Sequence, residues 1–188
     1  MPRKPDIELE SRILNAAYRL WVDQGEHGLT MRSVAKAAGT TTPTLYERFR
    51  DKNALMSALR ARAQGNLYAA VEPARSLAQV WRLGLEFALA HGHEYELVAK
   101  NWAARLSRRD PTPSFDLLKQ RLAEELGGTP EEHLRLALAL VTLYHGASTL
   151  LLAEGLDAKV AATLKQSCLA AVDALVEAAR KQRTGPAE

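Results

Sequence analysis

Apolar residues recur at intervals of three and four along nearly the whole chain, the spacing that lines up side chains on one face of an α-helix. Ile13, Leu14, Ala17, Leu20 and Trp21 predict a first helix from about Glu8 to Gln24, ended by Gly25 as a left-handed C-cap. A second helix starts at the Leu29-Thr30 step, with Thr30 as N-cap and Leu29 placed to pack against Val34 one turn later. Ala35 and Ala38 continue its inner face, and Gly39 stops it after about two turns. Pro43 is tolerated only in a first turn, so Leu45, Tyr46 and Phe49 belong to a third helix that starts around Thr41. Asp51 is placed to cap a fourth, which begins at Lys52 and carries Leu55, Met56 and Leu59 toward Tyr68.

Downstream the pattern stays helical. Pro73 closes the fourth helix, and Ser76 caps a fifth that carries Leu77, Val80, Trp81, Leu85 and Phe87. After Gly92, the segment Tyr95 to Leu106 reads as one amphipathic helix with Leu97, Val98 and Trp102 on its inner face. Arg108 to Ser114, with Pro111 and Pro113, reads as a loop before a helix from Phe115 to Leu126, which Gly127 and Gly128 end. Thr129, Pro130, Glu131 and Glu132 supply a cap, a first-turn proline and two dipole-favoured acids for a long apolar helix to Leu152. Gly155 closes it. Asp157 opens a last helix with Val160, Leu164, Leu169, Val172, Leu175 and Val176, running to a polar tail from Lys181. No period-two alternation, internal repeat or low-complexity tract interrupts this. The predicted fold is all-α, with about nine helices: a three-helix bundle within residues 1–66 and a larger helical domain over 67–188.

Composition narrows the function. Of 188 residues, 47% are hydrophobic and 25% charged, which suits a folded globular chain and excludes a disordered or fibrous one. The single cysteine, Cys168, builds neither an intrachain disulfide nor a multi-thiolate metal site, so a reducing compartment is expected. Residues 1–63 hold eleven Lys and Arg against seven Asp and Glu, an excess of four positive charges within a chain whose net charge is +3. The first third therefore suits a polyanionic partner and the slightly acidic remainder something else. MPRKPDIELE has no apolar core of the secretory kind. Leu136 to Ala153 is nearly long enough to span a bilayer, but Thr142, Tyr144, His145, Ser148 and Thr149 in its middle argue for a helix buried on several faces. The expected location is the cytoplasm.

The second and third helices, joined by the tight Gly39–Thr41 turn, form a helix-turn-helix. Gly39 supplies the left-handed turn, Ala35 and Ala38 allow close approach, and Thr41, Thr42 and Thr44 present a small polar face where free backbone N–H groups favour phosphate. That spacing alone also fits a purely structural three-helix core. The segment MRSVAKAAGTTTPTLYERFRDKNAL, however, resembles the DNA-binding segment of the TetR (tetracycline-repressor-type) family of bacterial transcription regulators. The matching residues are Thr30, Ala38, Gly39, Thr44, Leu45, Tyr46, Phe49, Lys52 and Leu55. The resemblance implies that Thr30 and Lys52 contact phosphates at the edges of the site and Tyr46 the backbone, and that Thr42, Pro43, Thr44 and Arg48 face the groove; Arg32 and Thr41 complete the expected DNA-binding set. Two departures, Thr40 where a small apolar residue is usual and Pro43 where glycine is, bear on operator sequence. Arg3 and Lys4 read as a basic arm that adds salt-dependent affinity.

For residues 67–188 the resemblance implies an effector-binding and dimerisation domain whose last two helices form a four-helix bundle with a second copy. Tyr144-His145-Gly146 resembles the Trp-His-Gly signature of one C-terminal subgroup, with tyrosine in place of tryptophan. Candidate pocket residues are Trp81, Phe87, Tyr95, Trp102, Phe115, Tyr144 and His145, each of which also fits ordinary core packing. Candidate dimer residues are Leu143, Gly146, Ala147, Leu150, Leu164, Cys168, Ala171, Val172 and Leu175. His91 and His93, near Glu94 and Glu96, lack the convergent spacing of a metal site, and a hydrogen-bonded core role suits His145 better than heme or metal ligation. No metal or cofactor is expected. The function implied is a ligand-responsive repressor, a homodimer on a palindromic double-stranded DNA operator, released by an unidentified small molecule. A small helical enzyme finds no nucleophile–base pair, phosphate loop or clustered carboxylates; an interaction module with a purely structural helix-turn-helix is the other alternative.

Overall fold

The helices expected from apolar spacing form in the computed structural model, which describes residues 7–100, 102–108, 110 and 112–184. Among them are ten α-helices, one 3-10 turn and no strand: α1 (Ile7–Gly28), α2 (Met31–Ala37), α3 (Thr42–Arg48), α4 (Lys52–Val71), α5 (Leu77–Ala90), α6 (Gly92–Ala99), α7 (Trp102–Arg108), α8 (Pro113–Leu126), the 3-10 turn Pro130–His133, α9 (Leu134–Leu151) and α10 (Ala158–Thr184). Arg3, Lys4 and Pro111 lie outside the described residues. The chain divides into two compact units, Met1–Ala63 and Gln64–Glu188.

In the first unit, the apolar stripe of α1 sends Ile13, Ala16 and Ala17 fully out of solvent, and α2 and α3 add Val34 and Leu45. Fully burying side chains of Ile or Leu size contributes about 1.5–3 kcal/mol each. Local hydrogen bonds then set where each helix begins. At α2 the Thr30 hydroxyl accepts from the Ser33 N–H (3.0 Å) while the Thr30 N–H donates to Ser33 Oγ (2.9 Å), a reciprocal capping box. At α3 the Thr41 hydroxyl accepts from the Thr44 N–H, with proline in the first turn. At α4 the Asp51 carboxylate accepts from the Ala54 N–H (2.8 Å). That bond, aided by neighbouring Arg50, holds the Asp51 carboxyl below its ordinary range. Gly25, at φ 64° and ψ −163°, kinks α1 where the sequence pattern expects a left-handed C-cap, and helical backbone continues past it to Gly28.

The core of the second unit lies among α5, α8, α9 and α10, with Trp81, Phe115, Leu122, Ala137, Leu140 and Val172 at its centre. Two segments depart from the sequence pattern. Tyr95 to Leu106 is not one helix: α6 stops at Ala99, α7 starts at Trp102, and Trp102 meets Phe115 edge-on with ring centroids 5.1 Å apart. Packing against α8, which residue spacing does not encode, accompanies this break. The long apolar helix also starts later than expected, because Thr129 and Glu132 form a capping box around the 3-10 turn and α9 begins only at Leu134. Residues 130–151 are long and apolar enough, by length and composition, to cross a membrane; in this fold Ala137, Leu140, Ala147 and Ser148 of that segment are buried.

Candidate nucleic-acid interface and interior cavity

The turn between α2 and α3 is made at Gly39, whose φ of 64° lies in the left-handed region. It brings two short helices together so that Leu45 faces fully inward and its neighbour Tyr46 is 50% exposed. Thr30, Arg32, Thr41 and Pro43 are exposed; Thr42, Thr44, Arg48 and Lys52 are partly so. Thr41 and Thr44 are tied to each other, with hydroxyl oxygens 2.9 Å apart, so the cap that starts α3 also orients two polar groups at its outer end. Lys52 is less free than its expected phosphate role suggests: its ammonium donates to the Glu26 carbonyl oxygen (2.9 Å), leaving two of its three hydrogens for another partner. Ser33, the reciprocal half of the α2 cap, escapes the sequence reading because glutamate or glutamine is the usual signal at that position.

In the second unit, the ends of α4 and α5 and parts of α6 to α10 enclose a cavity. About 650 Å³ there is free of atoms, counting the part open to solvent, and the space that the centre of a water-sized sphere can occupy is about 70 Å³. Five of the seven pocket candidates line it: Trp81, Trp102, Phe115, Tyr144 and His145. Phe87 and Tyr95 do not. Phe87 packs beside His91 at 5.1 Å, and Tyr95 stands behind His145 as its hydrogen-bond partner. Aliphatic walls such as Leu67, Val71, Val98 and Leu140 were not singled out in the sequence, since they share the periodicity of every other core position.

The polar groups at this cavity are held from behind. Tyr144 Oη donates to the Gly84 carbonyl oxygen (3.2 Å), and a Cβ at Gly84 would lie 3.3 Å from the Tyr144 ring, so glycine there permits the close approach. Burial raises the Tyr144 phenol well above its ordinary range and pushes His145 down to about 4, which keeps both neutral at pH 7. Tyr95 Oη lies 3.0 Å from His145 Nδ1 and 3.2 Å from the His145 carbonyl oxygen. The Trp81 indole N–H is buried with no hydrogen-bond partner. A more open depression, lined by Ala99, Ala103, Thr142, Gly146, Thr149 and Leu150, shares Trp102 and His145 with the cavity.

On α9 and α10 the nine dimer candidates divide. Leu150 (55% exposed), Leu175 (36%) and Gly146 are open to solvent, and Leu143, Leu164 and Ala171 partly so. Ala147, Cys168 and Val172 are buried in the chain's own core, where α9 and α10 pack on each other. Val160, 53% exposed, is a further apolar surface residue on α10. Among the described residues no group of three or more His, Cys, Asp or Glu could hold a metal, His91 and His93 included.

Residues 13–59 match the family model of bacterial regulatory proteins, tetR family. Over 72 residues the chain is 36% identical to the HTH-type transcriptional activator FasR of Mycolicibacterium smegmatis, a match covering 38% of this chain and 33% of that protein, so the likeness spans only about a third of the relative's length. Solved structures extend the likeness in fold. A TetR-like transcriptional regulator from Rhodococcus sp. RHA1 superposes with a TM-score of 0.58 at 22% identity, covering 98% of this chain and 100% of its own. A TetR regulator from Streptomyces coelicolor gives 0.65 at 22% identity, with 91% and 97% covered.

Proposed function

This chain carries the helix-turn-helix domain of the tetR family of bacterial regulatory proteins, and from that premise we propose that it is a ligand-responsive repressor, a cytoplasmic homodimer on a palindromic DNA operator. The observation that supports this best is the Gly39 turn, which sets Leu45 inward and leaves Thr41, Pro43 and Tyr46 outward on α3, the face a recognition helix lays in the major groove. Thr30, Arg32 and Lys52 supply phosphate contacts around it, and Thr42, Thr44 and Arg48 reach toward base edges. The second unit binds the effector in its apolar cavity, and exposed Leu150 and Leu175 on α9 and α10 meet a second copy. A ligand that binds the DNA-releasing conformer more tightly shifts the population toward it.

Selecting operators from a random DNA pool tests this directly. A palindrome should emerge, bound by two chains with an affinity that falls steeply with salt. Failure to enrich any sequence would refute the regulator reading. The relative named as a transcriptional activator supports the opposite sign of control; transcription from a promoter carrying the selected operator decides it, since a repressor lowers the transcript and an activator raises it.

A further inference from the structure

The kink near the end of α1 stands next to the hydrogen bonds that hold two of the expected phosphate contacts. Gly25, at φ 64° and ψ −163°, occupies a backbone region that essentially only glycine enters. A Cβ at Gly28 would run into the Gln24 side chain, so the short segment between these two glycines folds back closely at both ends. Its carbonyl oxygens serve residues beyond α1. The Glu26 oxygen accepts from the Lys52 ammonium (2.9 Å) and from the Leu29 N–H (3.3 Å). The Gly28 oxygen accepts from the Ser33 hydroxyl (2.8 Å).

Ser33 hands this support on to Thr30. Its hydroxyl has one proton and two carbonyl oxygens in reach, that of Gly28 at 2.8 Å and that of Thr30 at 2.9 Å. The Thr30 oxygen already accepts the Val34 N–H at 3.0 Å, as the start of α2 requires. The Gly28 oxygen otherwise has only the Thr30 N–H at 3.2 Å, a donor that lies closer to Ser33 Oγ at 2.9 Å. The Ser33 proton therefore serves Gly28. The Ser33 N–H in turn donates to Thr30 Oγ1 (3.0 Å), which fixes that hydroxyl on the exposed edge of the helix-turn-helix. The Thr30 proton has Ser33 Oγ within reach at 3.0 Å and can equally turn outward to a phosphate oxygen.

We propose that residues 26–28 are the common support of the two phosphate contacts, and that Gly25 and Ser33 are positioning residues for DNA binding. The kink places the Glu26 oxygen on Lys52 and the Gly28 oxygen, through Ser33, on Thr30. This rests on the reading of Thr30 and Lys52 as phosphate contacts. Gly25 and Ser33 act without touching DNA. Relaxing the backbone at Gly25 moves both carbonyls and releases both side chains, whereas losing the Ser33 hydroxyl releases Thr30 alone. A released side chain must be ordered again when the phosphate binds, which lowers affinity.

Double-mutant cycles, read by fluorescence anisotropy of the full chain on the operator selected from the random pool, test this. Ser33→Ala should weaken binding about two- to tenfold per half-site, and Ser33→Thr, which keeps the hydroxyl, should bind like wild type. In a Thr30→Val background the effect of Ser33→Ala should vanish, and in a Lys52→Ala background it should persist. Gly25→Ala should weaken binding about tenfold or more per half-site, and most of that loss should be absent once Thr30→Val and Lys52→Ala are both in place. A purely structural role would lower the melting temperature and leave the affinity of the folded protein unchanged, or lower affinity equally in every background; either result overturns the proposal. If Gly25→Ala does not fold, the Ser33 cycles decide alone. The underlying reading fails separately. Wild-type affinity in Thr30→Val and Lys52→Ala removes the phosphate contacts and the proposal with them, whereas losses in those variants that add independently to the Ser33 and Gly25 effects remove only the shared support.

Discussion

Tyr95 and His145 are joined twice: the phenol oxygen lies 3.0 Å from the imidazole Nδ1 and 3.2 Å from the carbonyl oxygen of the same residue. One side chain on α6 thereby orients both the ring and the backbone of a cavity-wall residue on α9. Removing the phenol in Tyr95→Phe should destabilise the second unit by about 1–3 kcal/mol, because a partly buried ring nitrogen and carbonyl lose their partner. Urea unfolding of wild type and variant measures this; an unchanged midpoint would show that the pair contributes nothing net.

Protonation of His145 should oppose folding. Its folded value of about 4 lies below the ordinary 6.5, so between these limits the unfolded chain binds the proton and the folded chain does not. Stability from this group is intact above pH 6.5, falls as pH drops toward 4, and levels below that, with a total on the order of 3 kcal/mol. The imidazole resonances followed by NMR should titrate near the low end of that window. His145→Gln should remove the corresponding slope from the pH dependence of unfolding.

Gly39→Ala isolates backbone strain from packing. A Cβ at Gly39 would meet nothing within 4 Å, so the loss should come from φ alone, about 1–2 kcal/mol. Thermal unfolding should register it, and Gly39→Asn should recover part of it, since asparagine tolerates the left-handed region better. A wild-type melting curve for the alanine variant would mean the turn relaxes without cost.

Tyr46 and Lys52 should separate in their effects on DNA. Tyr46→Ala removes a half-exposed ring beside a buried leucine, so the fold should persist while operator affinity drops. Lys52→Ala should weaken binding alike on all sequences and reduce the salt slope by about one. It should also slightly destabilise the first unit, because the Glu26 carbonyl loses its donor. Fluorescence anisotropy across a salt series distinguishes the two, and wild-type affinity in both variants would sink the assigned contacts.

The α9 and α10 surfaces should respond differently to charge and to cavity. Leu150→Glu with Leu175→Glu places carboxylates on exposed apolar positions and should convert a two-chain species to one chain in sedimentation without unfolding it. Cys168→Ser should instead lower stability by about 1 kcal/mol or more and leave assembly unchanged, since Cys168 is buried within the chain. Dissociation by Cys168→Ser alone would place that residue at the interface after all.

Much of this protein is legible in its sequence because helix starts are local. Thr30, Thr41, Asp51, Ser76 and Asp157 each accept a hydrogen bond from a backbone N–H two or three residues ahead, so the residue that announces the helix is the residue that satisfies it. The Gly39 turn is legible for the same reason: a left-handed backbone position selects glycine whatever surrounds it. What no stretch of residues encodes is which apolar face is consumed inside the chain. Val172 and Leu175 sit one turn apart on α10, yet one is buried and the other 36% exposed. Trp81 and Phe87 share α5, yet one lines the cavity and the other does not. Periodicity identifies a helix and its apolar side; the packing of α5 through α10 around a space they do not fill decides which of those side chains remain free to meet a ligand or a second copy.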